Sequence, residues 1–141
     1  SSTSDEWPCR IFASERVVDR KSGFQAYATE LRDVALLPTF LQHLTSLPSL
    51  KRTTHCMYAY RSTEKNQRLE RLACGQSDGG ESGSGDRLSR LLELSNCENV
   101  IVVVSRCYGG TKLGSGRWKR ISGVAKEALL RGDFIKRTKK L

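Results

Sequence analysis

The fold of this chain is decided by the stretch ENVIVVVSRCYGGTKLGSG, residues 98–116. It contains the longest apolar run of the sequence, Val100–Val104, which is too rich in β-branched residues to favour a helix and too short to span a membrane. This run predicts a buried strand. Glycines and cations follow it in a turn that leads into a basic helix, and such a turn can present backbone N–H groups and positive charge to an anion. The glycines are equally well explained as a tight connection between strand and helix.

Length and composition indicate a globular protein with one domain. The 141 residues are 38% apolar and 28% charged, and no apolar run approaches the ~20 residues that a membrane helix needs. We expect a disordered N-terminus at 1–8, a single domain at 9–132 and a basic tail at 133–141. Since the first residue is a serine and not a methionine, we expect that the chain was trimmed or processed. The segment 1–8 has neither the charged start nor the apolar core of a signal peptide.

The net charge of +9 is concentrated at the C-terminal end of the sequence. Residues 106–141 hold 11 Lys or Arg against two acids, whereas residues 1–105 hold 13 basic and 13 acidic residues. Such asymmetry favours an acidic partner, most often nucleic acid or the ribosome. The alternative is a solvated basic helix followed by a soluble tail.

The cysteine pattern predicts free thiols. The count is odd, the spacings are wide and no CxxC pair occurs, which argues against both a disulfide scaffold and a zinc site. We therefore expect a reducing compartment, the cytoplasm, with no metal and no other cofactor. The five residues are Cys9, Cys56, Cys74, Cys97 and Cys107.

Periodicity and turn residues predict the element order β-β-α-β-β-α-β-α. The expected fold class is α+β, a two-layer sandwich of one mixed sheet with the helices on one face. The glycine-rich segment 75–86 is expected to lie outside any packed element, with Ser84 or Asp86 as the N-cap of the next helix. The strands are predicted at 9–13, 24–31, 54–61, 68–74 and 100–104, and the helices at 33–47, 88–94 and 117–131.

Few side chains suggest chemistry. His55 could titrate near neutral pH, but a lone histidine on a strand is more often structural. A nucleophile could be built from Cys56 or Cys107 with His55 and Asp78, although alternation along the strand puts Cys56 on the sheet face opposite His55. Asp78 and Glu81 could bind Mg²⁺ or could simply be solvated. The catalytic residues, if there are any, stay unknown from the sequence.

Three segments in this order resemble the Impact family. They are HCMYAYR at 55–61, DGGESGSG at 78–85, and VVVSRCYGGTKLG at 102–114. The family pattern has a histidine-led strand, an acidic Gly-Glu loop that opens a helix, and a hydrophobic strand ending in a Ser-Arg-aromatic-aromatic-Gly-Gly turn. Two positions depart from it: Gly79 replaces the second aspartate of the loop, and Cys107 replaces the aromatic residue after the arginine.

The resemblance implies the fold of domain IV of elongation factor G. It also implies a link to translational control, because eukaryotic members compete for the activator of the starvation-responsive initiation-factor kinase and carry an additional N-terminal RWD domain. No agreed catalytic activity comes with the family. Its shared residues correspond to His55, Asp78, Glu81, Arg106, Tyr108, Gly109, Gly110 and Gly114.

Three hypotheses of function follow. The first is a non-enzymatic cytosolic module that binds RNA or the ribosome through its basic C-terminal side, with Tyr108 available to stack on a base. The second is a regulator that acts by protein contact in the initiation-factor kinase pathway. The third is an enzyme acting on a small phosphorylated or acidic molecule, which would need the loop at 78–85 and the turn at 106–114 to lie together. The predicted binding residues add Lys112, Arg117, Lys119 and Arg120 to the eight that the resemblance implies.

Overall fold

The described part of the chain folds into one sheet and three α-helices. The computed structural model describes residues 7–51, 53–66, 69–110 and 112–135. Two single-turn 3₁₀ helices, Val34–Leu36 and Pro48–Leu50, flank the first α-helix. The strands are β1 (Phe12–Ala13), β2 (Val17–Asp19), β3 (Ser22–Glu30), β4 (His55–Asn66), β5 (Leu69–Ser77) and β6 (Val100–Cys107), and the helices are α1 (Leu37–Thr45), α2 (Ser84–Leu94) and α3 (Gly116–Arg131).

Strand β6, which the sequence predicts to be buried, lies in the middle of the sheet. The strand order is β1-β3-β6-β4-β5, with β2 also paired to β3. All the described pairings are antiparallel, so the prediction of a mixed sheet is wrong. Strands β3 and β4, which precede and follow α1 in the chain, run in the same direction and would form a parallel pair if they were neighbours. Strand β6 lies between them and runs opposite to both, so each pairing is antiparallel.

The α+β class is confirmed, but the helices lie on both faces of the sheet. Helices α2 and α3 pack on the face that carries Val102 and Val104, whereas α1 packs with Trp7 on the face that carries Ile101 and Val103. The prediction of helices on one face was therefore wrong. Residues 100–104 are all fully buried, so β6 presents apolar side chains to both faces and each face needs a cover.

The hairpin at the N-terminal edge of the sheet has a turn of only two residues. Arg20 and Lys21 have φ angles of 46° and 70°, the two left-handed residues of a type I′ turn that joins β2 to β3. The sequence pattern had missed β2, which is only three residues long. The first predicted strand, 9–13, contains β1, which pairs with β3.

The glycine-rich segment at 75–86 is shorter as a loop than predicted. Gly75, Gln76 and Ser77 belong to β5 and pair with β4, because the missing side chain of Gly75 leaves room for the ring of Tyr60. The irregular loop is only residues 78–83. Strands β4 and β5 pair antiparallel.

Packed side chains occur on both sides of the predicted domain limits, 9 and 132. Trp7, in the segment expected to be disordered, is 7% exposed and packs on Phe40 at 4.9 Å between ring centroids. Phe134, in the expected tail, lies edge-on to Phe12 at 5.9 Å. Residues 1–6 and 136–141 lie outside the described part of the chain. Within that part, no helix has the length and apolarity needed to cross a bilayer.

Candidate functional site

The loop after β5 and the turn after β6 meet at a buried carboxylate. Glu81 is 7% exposed, and its Oε2 accepts a hydrogen bond from Arg106 Nη1 at 2.5 Å. Its Oε1 lies 2.6 Å from Arg117 Nε, on the first turn of α3. One carboxylate is thus shared by two guanidinium groups, so this cluster of three side chains keeps a net positive charge. The contact also brings together the two segments that a shared site requires.

Arg106 is held between aromatic rings as well as by Glu81. It is 4% exposed, and its guanidinium carbon lies 5.3 Å from the centroid of Phe24 and 5.5 Å from that of Tyr108. Its Nε has no hydrogen-bond partner in the described chain. Stacking and the ion pair offset the cost of removing this charge from water.

A small cavity of about 180 Å³ opens beside the cluster. Three cations face it against one carboxylate, which favours an anionic group the size of a phosphate or a carboxylate. At its edge Tyr108 is 43% exposed. The lining residues are Glu81, Arg106, Tyr108, Lys112, Leu113, Gly114 and Arg117.

Asp78 caps helix α2. Its Oδ1 accepts a hydrogen bond from the N–H of Gly85 at 2.8 Å, and its Oδ2 accepts one from Gly83 at 3.2 Å. A carboxylate there satisfies orphan donors and interacts favourably with the helix dipole. The expected N-caps, Ser84 and Asp86, were wrong: both lie inside the helix, the N-cap position is held by Gly83, and the capping carboxylate comes from Asp78.

The position that departs from the family pattern has no room for a side chain. Gly79 has a φ of 53°, and a Cβ there would overlap the carbonyl oxygen of Cys56. A second carboxylate beside Asp78 is therefore incompatible with this loop. His55 stands opposite Arg106 in the sheet, and its ring lies against Gly80, where a Cβ would come within 2.9 Å of His55 Cδ2.

Two hydroxyl groups that sequence reasoning missed hold the turn after β6. Thr54 Oγ1 accepts a hydrogen bond from the N–H of Tyr108 at 2.8 Å and donates to the carbonyl of Arg106 at 2.9 Å. Ser22 Oγ accepts from the N–H of Gly109 at 3.1 Å. Nothing in a single sequence marks these residues, since both act on a segment more than fifty positions away.

The other predicted cations do not join the cavity. Arg120 donates to Asp19 Oδ2 at 3.1 Å, on the β2–β3 hairpin. Lys119 is exposed on α3. Arg117 lies over the ring of Trp118 at 4.2 Å, and Arg87 of α2, which the sequence did not single out, lies over the same ring at 4.4 Å. Gly110 has a φ of 91°, and no atom lies within 4 Å of the position that a Cβ would take there.

The nucleophile considered from the sequence is not assembled. Cys56 packs with the α1 side of the sheet, and burial raises the pKa of its thiol. Cys107 alternates with Arg106 and so faces away from the cavity. All five cysteines are free thiols.

Comparisons with known proteins agree with this architecture. The model of the Impact N-terminal domain matches residues 20–129. An IMPACT family member of Saccharomyces cerevisiae is 36% identical, over 86% of this chain and 91% of its own length. The IMPACT homolog of Schizosaccharomyces pombe is 37% identical, over 90% of this chain and 44% of its own length.

Two solved structures share the fold. The two-domain translational regulator Yih1 has a TM-score of 0.59 and 31% identity, over 86% of this chain and 46% of that one. A hypothetical protein has a TM-score of 0.68 and 22% identity, over 86% of this chain and 61% of that one. The chain thus spans less than half of Yih1 and of the fission yeast homolog, but most of the budding yeast relative. With the matching family model and these relatives, the chain belongs to the IMPACT family.

Proposed function

We propose that this chain is a binding module in translational control that engages RNA or the ribosome through its basic C-terminal side, in the cytoplasm and without catalysis. Family membership and the similarity to the translational regulator Yih1 support a role in translation. The full excess of +9 in residues 106–141 supports an acidic partner. Five free thiols fit a reducing compartment.

The observation that carries the proposal is the net positive cluster beside the 180 Å³ cavity. A phosphate placed there would meet Arg117 and the exposed Lys112, while the half-exposed ring of Tyr108 could stack on the adjoining base. Arg106 would add positive charge near the phosphate without contacting it, since it is buried and already bound to Glu81. Binding is favoured over catalysis because both oxygens of Glu81 already contact guanidinium groups.

The number of cations that can contact phosphates determines how steeply binding falls with salt. Among the described residues Arg120 is bound to Asp19, whereas Arg117 contacts Glu81 but keeps a partly exposed side chain, so the cations that can reach phosphates beside the cavity are Lys112, Arg117 and Lys119. Three contacts with single-stranded RNA correspond to a slope of about −2 in log K against log salt, or about a 20-fold loss of affinity for a fourfold rise in salt.

The test is binding of ribosomes and of ribosomal RNA fragments across a salt series. The double variant Lys112→Gln and Lys119→Gln should weaken binding and flatten the slope. The control Arg32→Gln, which removes an exposed cation beyond the far end of β3, should leave both unchanged. Absence of binding even at low salt, or equal loss in the control, would end this proposal.

A second candidate is regulation by protein contact. It is favoured by the internal pairing of Arg106 and Arg120, which removes two of the described cations from contact with nucleic acid. The family resemblance implies competition for the activator of the starvation-responsive initiation-factor kinase. In a pull-down from cytosolic extract, recovery of that activator after nuclease treatment would support this candidate. Ribosomes that are lost on nuclease treatment would support the first.

A further inference from the structure

A larger cleft lies on the opposite face of the sheet from the Glu81 cluster. Its volume is about 660 Å³, within the range of small-molecule sites. The floor is formed by neighbours across β3 and β6, where Gly23 pairs with Cys107 and Gln25 with Ser105. These residues alternate with Phe24 and Arg106, so they face the α1 side of the sheet.

The cleft exists because α1 covers only part of this face. The apolar cover of α1 and Trp7 ends at Tyr27 and Val103, and the next residues of both strands toward the cleft have small or polar side chains. One rim carries Arg16, from the connection before β2, and the other is the segment Pro48–Lys51. The sheet surface between the rims is left open.

The rim is held in place by hydrogen bonds. The hydroxyl of Tyr27 donates to Gln25 Oε1 at 3.0 Å and lies 3.2 Å from Ser49 Oγ, while Gln25 Nε2 donates to the carbonyl of Ser14 at 2.9 Å. These hydrogen bonds tie the 3₁₀ turn at Pro48 to strand β3. A cleft with fixed walls loses little conformational entropy when it binds a ligand.

The charge of the cleft is positive and uncompensated. Arg16 and Lys51 border it, no carboxylate lines it, and within the described residues neither cation has an ion-pair partner. Three arginines elsewhere, Arg117, Arg120 and Arg131, are each paired with acids. Gly23 lets the Arg16 guanidinium lie directly on the strand, since a Cβ there would overlap it.

We propose that this cleft binds a small phosphate-bearing molecule of about the size of a nucleoside monophosphate. Arg16 and Lys51 would meet the phosphate, to which a guanidinium can donate two hydrogen bonds. The Pro48 ring and the Cys107 side chain offer apolar contact to the rest of the molecule. The cleft is far larger than inorganic phosphate needs. The proposal is independent of RNA binding on the other face.

Cys107 reports on occupancy because its thiol lies in the cleft, whereas the exposed Cys74 of β5 lies outside it. The full chain is alkylated with N-ethylmaleimide, and each cysteine is followed by peptide mass spectrometry. Millimolar AMP should slow the labelling of Cys107 several-fold and leave Cys74 unchanged. Pyrophosphate should protect Cys107 partially, and adenosine should give no protection.

Variants separate a bound phosphate from other causes of protection. Arg16→Gln and Lys51→Gln should abolish protection by AMP, whereas Lys126→Gln, an exposed cation on α3, should keep it. Slow labelling of the buried Cys97 in every variant shows that the fold is intact. The proposal is overturned if AMP does not protect Cys107, if adenosine protects equally, or if protection persists in the Arg16 and Lys51 variants.

Discussion

Replacing Glu81 by glutamine tests whether this carboxylate holds the candidate site together. The substitution keeps the shape of the side chain but removes the charge that faces Arg106 and Arg117. The Arg106 and Glu81 side chains are 5% and 8% exposed, so Arg106 would become a buried cation without a counter-charge. The Arg117 side chain is 25% exposed and can turn toward water, which makes its share smaller.

The expected loss of stability follows from burial. Two unit charges about 4 Å apart interact by about 4 kcal/mol at an effective dielectric constant of about 20, and removing one partner of a buried pair costs about 3–5 kcal/mol. Because the amide oxygen of glutamine still accepts one hydrogen bond from Arg106, we expect the low end, about 3 kcal/mol. That is a large part of the roughly 5–15 kcal/mol that stabilises a typical domain.

Urea unfolding followed by circular dichroism measures this loss. An m-value equal to that of the parent shows that Glu81→Gln exposes the same amount of surface on unfolding. The matched control is Glu30→Gln, which breaks the exposed pair with Arg32, whose side chains are 43% and 71% exposed. It should cost less than about 1 kcal/mol. Replacing the pair together, Glu81→Leu with Arg106→Met, should recover most of the loss. Equal stability of Glu81→Gln and Glu30→Gln would refute the reasoning.

Three further predictions concern the elements around the site. Gly79→Ala should lower the free energy of unfolding in urea by about 3 kcal/mol, because the new Cβ adds left-handed backbone strain and overlaps the Cys56 carbonyl. Gly110→Ala has the same strain but no neighbour at its Cβ, so it should cost only about 1 kcal/mol. Equal losses in the two variants would contradict the overlap at Gly79. Burial raises the pKa of Cys97 from 9.0 to about 11, so its contribution to stability is full below about pH 9 and declines as the pH rises toward 11. The difference in free energy of unfolding between the parent and Cys97→Ala should shrink over that range. A difference that stays constant with pH would contradict the raised pKa of Cys97. Trp7→Ala should lose about 3 kcal/mol through its contact with Phe40, and an unchanged unfolding midpoint would show that Trp7 does not stabilise the domain.

The elements of the fold could be read from local patterns. Alternation along β4 correctly puts Met57 and Ala59 on one face and Tyr58 and Tyr60 on the other. The apolar run of β6 correctly predicts a buried strand. Neither the relative direction of the strands nor the face of the sheet that each helix covers could be predicted from local patterns. Both depend on which strand pairs between β3 and β4, and that strand is β6.

The contacts of the site depend on long-range geometry that single residues do not reveal. Resemblance to the family marks Glu81 and Arg106, but not that they form an ion pair. Arg120 has the pattern of an exposed helix cation, yet its partner Asp19 is 101 positions away. Asp78 caps a helix that starts six residues later, because the loop of glycines turns back on itself. The cleft at Arg16 and Lys51 has no motif at all.

The late position of β6 in the chain has a consequence for synthesis and folding. Strands β3 and β4 each pair with β6 and not with each other, so both keep one open hydrogen-bonding edge until residues 100–107 are available. Open edges of this kind recruit other strands and favour aggregation. Because β6 must pair with segments about 45 and 80 positions earlier, we expect the sheet to close slowly and in one late step. A nascent chain that stops before Val100 would therefore be the form of this protein most in need of a chaperone.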